Sequence, residues 1–338
     1  MLPFNPIPLL NIPSVPLWVR YFADLYGDHY TDNGFTKYFY GNDRFNIFHG
    51  DDRDDVFFGR GGNDWIFGHG GNDIINGDEG DDYLNGGDGN DFIYGGDGND
   101  RSYGGNGNDR LLPGAGNDVA YGGLGDDTFV AGSGRQYYNG GSGNDTVSYA
   151  EASSGIGLSL ASGGTWTLES RGDRFVSIEN VVGTEHRDDI RGDSGDNALH
   201  GLGGRDYISG GGGDDQIIGG KNEAGYGDVL RGGAGNDSFY FYEGDSGGPL
   251  GGSPDRVQDF EGAVDPTILS DALFFEVNDV AYAEDNWLVV DYLVGDFEWA
   301  GTVVAVMDRD DAGRDFKAYE VILEGTAKED VADWQIIF

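Results

Sequence analysis

The chain has no cysteine, two methionines and five histidines in 338 residues. Without thiols, no disulfide staples the fold, and neither a cysteine zinc site nor a thiol nucleophile can be built. Basic residues are scarce too: 20 Lys and Arg stand against 61 Asp and Glu, for a formal net charge of −41. No basic face of any size can form, which argues against nucleic acid as a partner. No run of eighteen apolar residues occurs, so no helical membrane span is expected. The first residues, MLPFNPIPLLNIPSVPLWVRYF, carry five prolines and no early Lys or Arg, a poor match to a Sec signal peptide. Also missing are an HExxH helix and a strand, Gly-x-Ser-x-Gly, helix context.

What the chain has in abundance is glycine, 63 residues, and much of it is periodic. From Gly41 to Ser148 a nine-residue block recurs without slip, and Gly86–Tyr94, GGDGNDFIY, is its clearest copy. Positions one to four are mostly Gly, which tolerates left-handed backbone angles and predicts turns. Positions seven to nine alternate sides, which predicts a very short strand. Position eight reads Phe48, Phe57, Ile66, Ile75, Leu84, Ile93, Ser102, Leu111, Ala120, Phe129, Tyr138 and Val147, apolar except at Ser102. These side chains are the predicted core.

A turn and a three-residue strand bury almost nothing alone, so two blocks must form one flattened coil and stack on the next. Stacking sets position six against position six two blocks later, pairing Asp64 with Asp82, Asp73 with Asp91, Asp82 with Asp100, and Asp91 with Asp109. Carboxylates so close do not ionise together unaided. Six to eight oxygen ligands at about 2.3–2.6 Å suit Ca²⁺ better than Mg²⁺ or Zn²⁺. The aspartates predicted to hold calcium are Asp55, Asp64, Asp73, Asp82, Asp91, Asp100, Asp109, Asp118, Asp127 and Asp145, joined by Asp188, Asp206, Asp215, Asp228 and Asp237 of a second array. At the same position Asn46, Gln136 and Asn197 break the rows, so the pairing of Asp118 with Gln136 should be weakened and the first block should act as a worn cap.

On these blocks the chain resembles the RTX (repeats-in-toxin) family, whose nonapeptide arrays occur in haemolysins, serralysin-type protease tails and mannuronan epimerase R-modules. The resemblance covers the two arrays. It implies an all-β fold, a right-handed parallel β-roll of two stacked RTX coils with a β-rich C-terminal cap, and several bound Ca²⁺ ions. It further implies that carbonyls two and four and Asp six of one block join carbonyls one and three and Asp six of the block eighteen residues on. One site would then use Gly87, Gly89, Asp91, Gly104, Asn106 and Asp109. Its neighbours would use Asp78, Gly80, Asp82, Gly95, Asp97 and Asp100, and Gly96, Gly98, Asp100, Pro113, Ala115 and Asp118. Asp78 and Pro113 replace the family's Gly, which bears on the turn geometry.

The organisation read from the chain is an N-terminal capping segment, 1–40; a first roll, 41–148; a β-linker, 149–182, which alternates like antiparallel strands at Gly157–Leu160 and Thr165–Leu168; a second roll, 183–252; and a C-terminal cap, 253–338. Within the second array the spacing from Gly219 to Gly232 is thirteen, so about four residues near Asn222–Gly225 should bulge as a loop. In the cap, Trp287–Tyr292, Val303–Val306 and Ala318–Leu323 read as strands, and Asp255–Phe260 resembles the closing element of the RTX family. The ending Asp333–Phe338 resembles the uncleaved C-terminal signal with which RTX relatives leave the cell through a type I secretion channel. Met1 fits a complete product.

The motif Gly244–Leu250, GDSGGPL, matches the nucleophile loop of trypsin-like proteases. That chemistry needs a general-base His and an orienting Asp upstream, and none of His29, His49, His69, His186 and His200 has the required context. Gly192-Asp193-Ser194-Gly195 shows a near copy arising inside a repeat. No row of Thr marks an ice-binding face. Outward positions instead form an apolar stripe, Val56, Phe58, Ile74, Phe92, Tyr94, Leu112 and Val130, which the N-terminal segment or the second coil is expected to cover. Trp65, Tyr83 and Tyr103 on the opposite face are stacking candidates for a polysaccharide or protein partner. The expectation is a secreted, calcium-binding, non-catalytic binding or structural module that folds on Ca²⁺ outside the cell. The alternatives are an adhesin or lectin, and the calcium-dependent tail of a secreted enzyme.

Overall fold

In the computed structural model the nine-residue period becomes a stack of flattened coils. The structure describes residues 29–166 apart from 33 and 35, then 172–222 and 227–242, and beyond these the strands at 255–258, 272–276, 287–292, 301–309, 315–324 and 336–337. All regular elements among the described residues are strands, and no helix there is long and apolar enough to cross a membrane.

Successive blocks alternate between two sheets. Ile74–Glu79, Phe92–Asp97 and Arg110–Gly116 are neighbours in one, and Trp65–Gly70, Tyr83–Asp88 and Arg101–Asn106 in the other. Pairing within each sheet is parallel with an eighteen-residue offset, Ile75 beside Ile93 beside Leu111 and Leu84 beside Ser102 beside Ala120. Parallel sheets are stable when covered, and here each sheet covers the other. Every position-eight side chain named above is buried, from Phe48 at 7 % exposed to Ile93 and Leu111 at 0 %, and the row continues through Val181, Ile190, Leu199, Ile208, Ile217, Leu230 and Phe239. Ser102 is buried in that row as well.

The two arrays share both sheets. On one side the ladder runs straight through the region between them, Val147 beside Val181 beside Leu199. On the other side the strands Gly157–Ser159, Gly164–Thr165 and Arg174–Val176 enter as an antiparallel excursion before parallel pairing resumes at Leu158 and Ile190. The expected antiparallel strands exist, but they extend one roll and do not separate two. In the second array Leu230 pairs with Ile208, twenty-two residues earlier and not eighteen, so the register accommodates the four extra residues; Asn222, expected in the bulge, pairs with Gly204 in a strand, and 223–226 lie outside the described residues.

At the first end, Lys37–Tyr40 adds a parallel strand beside Val56–Phe58, and His29–Asp32 pairs with it antiparallel. Thus 37–40 extends the sheet by one rung, with Tyr40 stacked on Phe58 at 5.4 Å. At the other end, Asp255–Gln258, Asp315–Glu324, Gly301–Arg309 and Trp287–Tyr292 continue one sheet in that order, and Ala272–Glu276 and Ile336–Ile337 continue the other. The strands at 287–292, 301–309 and 315–324 cover the segments read as strands from the sequence, whereas Ala272–Glu276 and Ile336–Ile337 were not read as strands. The motif around Ser246, the segment 1–28 and residues 333–335 lie outside the described residues.

Candidate metal centre

Many strands run on from position seven through position three of the next block, as in Phe92–Asp97, so they are longer than the three residues expected and the turn is confined to about positions four to six. The direction of the carbonyls at positions one to four is set by alternation along the backbone. Carbonyls two and four point at the next coil: a Cβ added to Gly96 would overlap the Asp78 carbonyl, and one added to Gly98 the Gly80 carbonyl. Carbonyl one points back, so that the Gly95 oxygen would lie 2.5 Å from a Cβ on Gly77. Carbonyl three of the later coil accepts from the earlier one, as where Gly80 N–H donates to Asp97 O at 2.8 Å. Asp78, Gly80, Gly95 and Asp97 therefore line one inter-coil gap, beside which lie Asp82 and Asp100.

The next gaps repeat this arrangement. Gly87 and Gly89 direct their carbonyls at Gly105 and Gly107, and Asn106 O accepts from Gly89 N–H at 2.7 Å. Gly96 and Gly98 face Gly114 and Gly116, the Pro113 carbonyl faces Gly95, and Ala115 O accepts from Gly98 N–H at 2.8 Å. Asp78 keeps the turn, since its φ of 69° is shared by Arg60, His69 and Leu202 at the equivalent position with 75–76°. Pro113 keeps its carbonyl but has no N–H to give. The parallel ladder toward Thr128–Val130 accordingly stops at Leu111 and resumes at Ala115.

The position-six aspartates occupy the interior of the turns, each at most 3 % exposed. Their Oδ1 atoms form a ladder: Asp73 N–H donates to Asp91 Oδ1 at 2.7 Å, Asp82 N–H to Asp100 Oδ1 at 2.8 Å, and Asp91 N–H to Asp109 Oδ1 at 2.8 Å. Their Oδ2 atoms are a different matter. In Asp73, Asp82, Asp91, Asp100, Asp109, Asp118, Asp127, Asp145 and Asp215 this atom is buried with no hydrogen-bond partner. Asp82 Oδ2 and the Gly95 carbonyl both crowd the point where Gly77 would carry a Cβ. A buried acceptor without a donor costs about 1–3 kcal/mol, more when charged. A row of them facing inward carbonyls is a set of hard oxygens suited to a hard cation.

Electrostatics agree with that fit. Burial, the main cause, pushes Asp73 up to about 8, Asp100, Asp109, Asp127 and Asp215 to about 7, and Asp82, Asp91, Asp118, Asp145 and Asp188 to about 6. The backbone N–H received by Oδ1 opposes the rise, and for many of them a neighbouring carboxylate adds to it. Each such upward shift is free energy that ionising the carboxylate takes from the folded state, so a row of them left unaided weighs against folding. No group of three or more His, Asp or Glu side chains placed to hold a metal occurs among the described residues.

The other predicted aspartates occupy equivalent turns. Asp64, Asp206, Asp228 and Asp237 are buried and join the same ladder, Asp206 N–H donating to Asp228 Oδ1 at 2.7 Å. Asp55 and Asp188 differ, because protein donors reach both their oxygens: Lys37 and Asp51 N–H for Asp55, Ile156 and Thr184 N–H for Asp188.

Two groups escaped sequence reasoning. Position five carries a second, exposed ladder in which Asn90 N–H donates to Asn72 Oδ1 and Asn108 N–H to Asn90 Oδ1; the recurring Asn-Asp pair was its signal. Asp173 and Glu179 also hold position six, accepting from Gln136 N–H and Asp145 N–H at 2.8 Å. Their offsets of 37 and 34 residues are not multiples of nine, which hid them.

The model of the RTX calcium-binding nonapeptide repeat (4 copies) matches residues 40–75, 49–84, 76–111, 113–147, 182–221 and 225–246, together half of the chain. No curated protein matches it. Among solved structures, the solution structure of the AlgE6R3 subunit from the Azotobacter vinelandii mannuronan C5-epimerase is 30 % identical over 44 % of this chain and 75 % of that one, with a TM-score of 0.31.

Proposed function

Because the chain belongs to the RTX calcium-binding nonapeptide repeat family, we propose that it is a calcium-assembled β-roll that works outside the cell as a non-catalytic binding or structural module. The observation that carries this reading is the row of buried Oδ2 atoms without donors, set against carbonyls of the adjoining coil. The ligand sets are those implied by the family: Gly87, Gly89, Asp91, Gly104, Asn106 and Asp109 for one site, with its neighbours on either side. Bound there, calcium supplies the positive charge that lets paired carboxylates stay ionised. The residues do the rest: Asp91 and Asp109 are held by the backbone ladder, and the glycines leave the carbonyls room to face one gap.

The net charge of −41 supports coupling of folding to the ion. Self-repulsion opposes compaction until it is neutralised, and a ligand bound only by the folded state stabilises it with the logarithm of its concentration. Extracellular modules bind calcium at roughly 10⁻⁴–10⁻³ M, well above what a calcium-poor cytosol supplies. Export through a type I channel as an unfolded chain, followed by folding outside, fits such affinities.

A binding role has one specific support, the outward face of the sheet that contains Trp65. Rings run along it through Phe67, Tyr83, Tyr103, Tyr121 and Tyr137 at centroid spacings of 5.0–5.9 Å. Tyr103 and Tyr121 turn their flat faces to each other, which is a structural ladder, whereas Trp65 is 50 % exposed beside Phe45 at 53 % and Ile47 at 51 %. That half-open end is where a polysaccharide or protein would stack.

The test is circular dichroism of the purified chain titrated with CaCl₂ and, separately, MgCl₂. A steep gain of β structure in calcium alone is expected. A chain already folded in EDTA at about pH 8, where the buried carboxylates are least protonated, would overturn the reading.

A further inference from the structure

Gln136 stands in the middle of a row of buried aspartates, and its carboxamide is fully engaged. Oε1 accepts from Asp118 N–H at 3.2 Å, while Nε2 donates to Gly116 O at 3.2 Å and to Ser133 O at 3.1 Å. Gly116 and Ser133 hold positions four and three of the facing blocks, which elsewhere direct carbonyls into the gap. An NH₂ group has two donors and no acceptor, so this orientation is the one that satisfies all three neighbours. The geometry points to a metal-free rung between Asp118 and Gln136, where a side-chain amide does the work that a cation does in the other gaps.

The adjoining rungs extend this into a belt. Gln136 N–H donates to Asp173 Oδ1 at 2.8 Å, and Asp173 Oδ2 accepts the Tyr149 hydroxyl at 2.7 Å, so this carboxylate has a donor on each oxygen. On the opposite row of turns, Asn197 Oδ1 accepts from Asp193 N–H at 2.8 Å and its Nδ2 donates to Glu179 O at 2.9 Å. Gln136 and Asp173 thus interrupt the first row where the strands Gly157–Ser159 and Gly164–Thr165 enter, whereas in the opposite row Asp145 keeps a donorless Oδ2 and the interruption comes at Asn197. The belt is then a stretch of the roll in which side-chain amides and a hydroxyl, set within the continuous backbone ladder, take the place of ions in the turns. This rests on the calcium reading above and adds where the ions stop.

Two measurements on the whole chain test it. Counted by native mass spectrometry in calcium, Gln136→Asp should bind one ion more than the wild type, because it restores a free Oδ2 opposite Asp118. In crystals of the wild type soaked with terbium, anomalous density should appear between Asp82 and Asp100 and between Asp100 and Asp118, and none between Asp118 and Gln136. An unchanged count for a folded Gln136→Asp chain would overturn the belt. So would a terbium peak at the Gln136 rung, and this map decides the matter if the variant does not fold. A wild type that binds no ion would overturn the calcium reading itself.

Discussion

Asp109 Oδ1 accepts the backbone N–H of Asp91 at 2.8 Å, while Oδ2 of each residue lies buried without a donor. One oxygen therefore ties successive coils together, and on the proposed reading the other takes the ion. The two roles should separate under mutation. Asp100 belongs to the gaps on both sides of it, and Asp100→Asn should keep the Oδ1 acceptor while removing the charge. The expected result is about two fewer calcium ions per chain and a higher calcium midpoint for folding, measured by native mass spectrometry and circular dichroism. Asp81→Asn, in the exposed ladder, should change neither.

Acid should help the metal-free chain to fold. The buried carboxylates titrate at about 6 to 8 when folded, against 3.8 for an ordinary Asp. The folded state therefore binds more protons across that interval, so its stability is fully present below about 4 and is lost as pH rises through 6 to 8. His200, held down near 4 by burial, acts in the opposite sense, a single imidazole against a row of carboxylates. In EDTA the β signal should grow as pH falls from 8 toward 5. In calcium the dependence reverses, because protons compete for the same oxygens and the folding midpoint should move to higher calcium below about pH 6.

Gly89 has φ of 131°, and a Cβ there would overlap the Gly71 carbonyl. Gly89→Ala strains the backbone and pushes aside a carbonyl that faces the gap. A several-fold higher calcium midpoint is expected, with Asn90→Ala, on the exposed ladder, close to wild type. Equal midpoints for the two variants would show that this carbonyl is not part of a site.

The core is the part most readily read from the chain. A strict period of nine placed every position-eight residue inside, including Ser102, and the eighteen-residue pairing followed from the need of each short strand for a neighbour. The thirteen-residue spacing in the second array was legible as well, because four added residues turn an eighteen-residue pairing into one of twenty-two. Residues 149–182 were not legible in the same way. Alternation marked strands there, but one sheet passes directly from Val147 to Val181 while the other absorbs a hairpin, so no single repeat length describes both. Gln136 was legible as a missing carboxylate. Its two donated hydrogen bonds were not, since they depend on carbonyl directions that only the stacked turns define.

Ile93 is fully buried between Ile75 and Leu111 in the same sheet. Ile93→Ala should cost about 2–5 kcal/mol from lost transfer energy and the cavity left behind. Urea denaturation in saturating calcium is the measurement, so that ion binding is held constant. Asn85→Ala on the outer face should stay within about 0.5 kcal/mol of wild type.

Tyr149 bears on how the belt is held. Its hydroxyl donates to Asp173 Oδ2 at 2.7 Å, and burial pushes Asp173 upward while the bonds from Gln136 and Tyr149 pull it back. Tyr149→Phe removes one of those bonds and leaves a buried carboxylate oxygen with nothing to accept, at a cost of about 1–3 kcal/mol. Asp173 is paired along its row with Gln136, which offers an amide and no second carboxylate, so no ion should enter to compensate. Denaturation in saturating calcium should show the loss while the ion count stays fixed. A variant that binds one more ion and keeps its stability would mean that the hydroxyl, not the amide, excludes calcium from that coil.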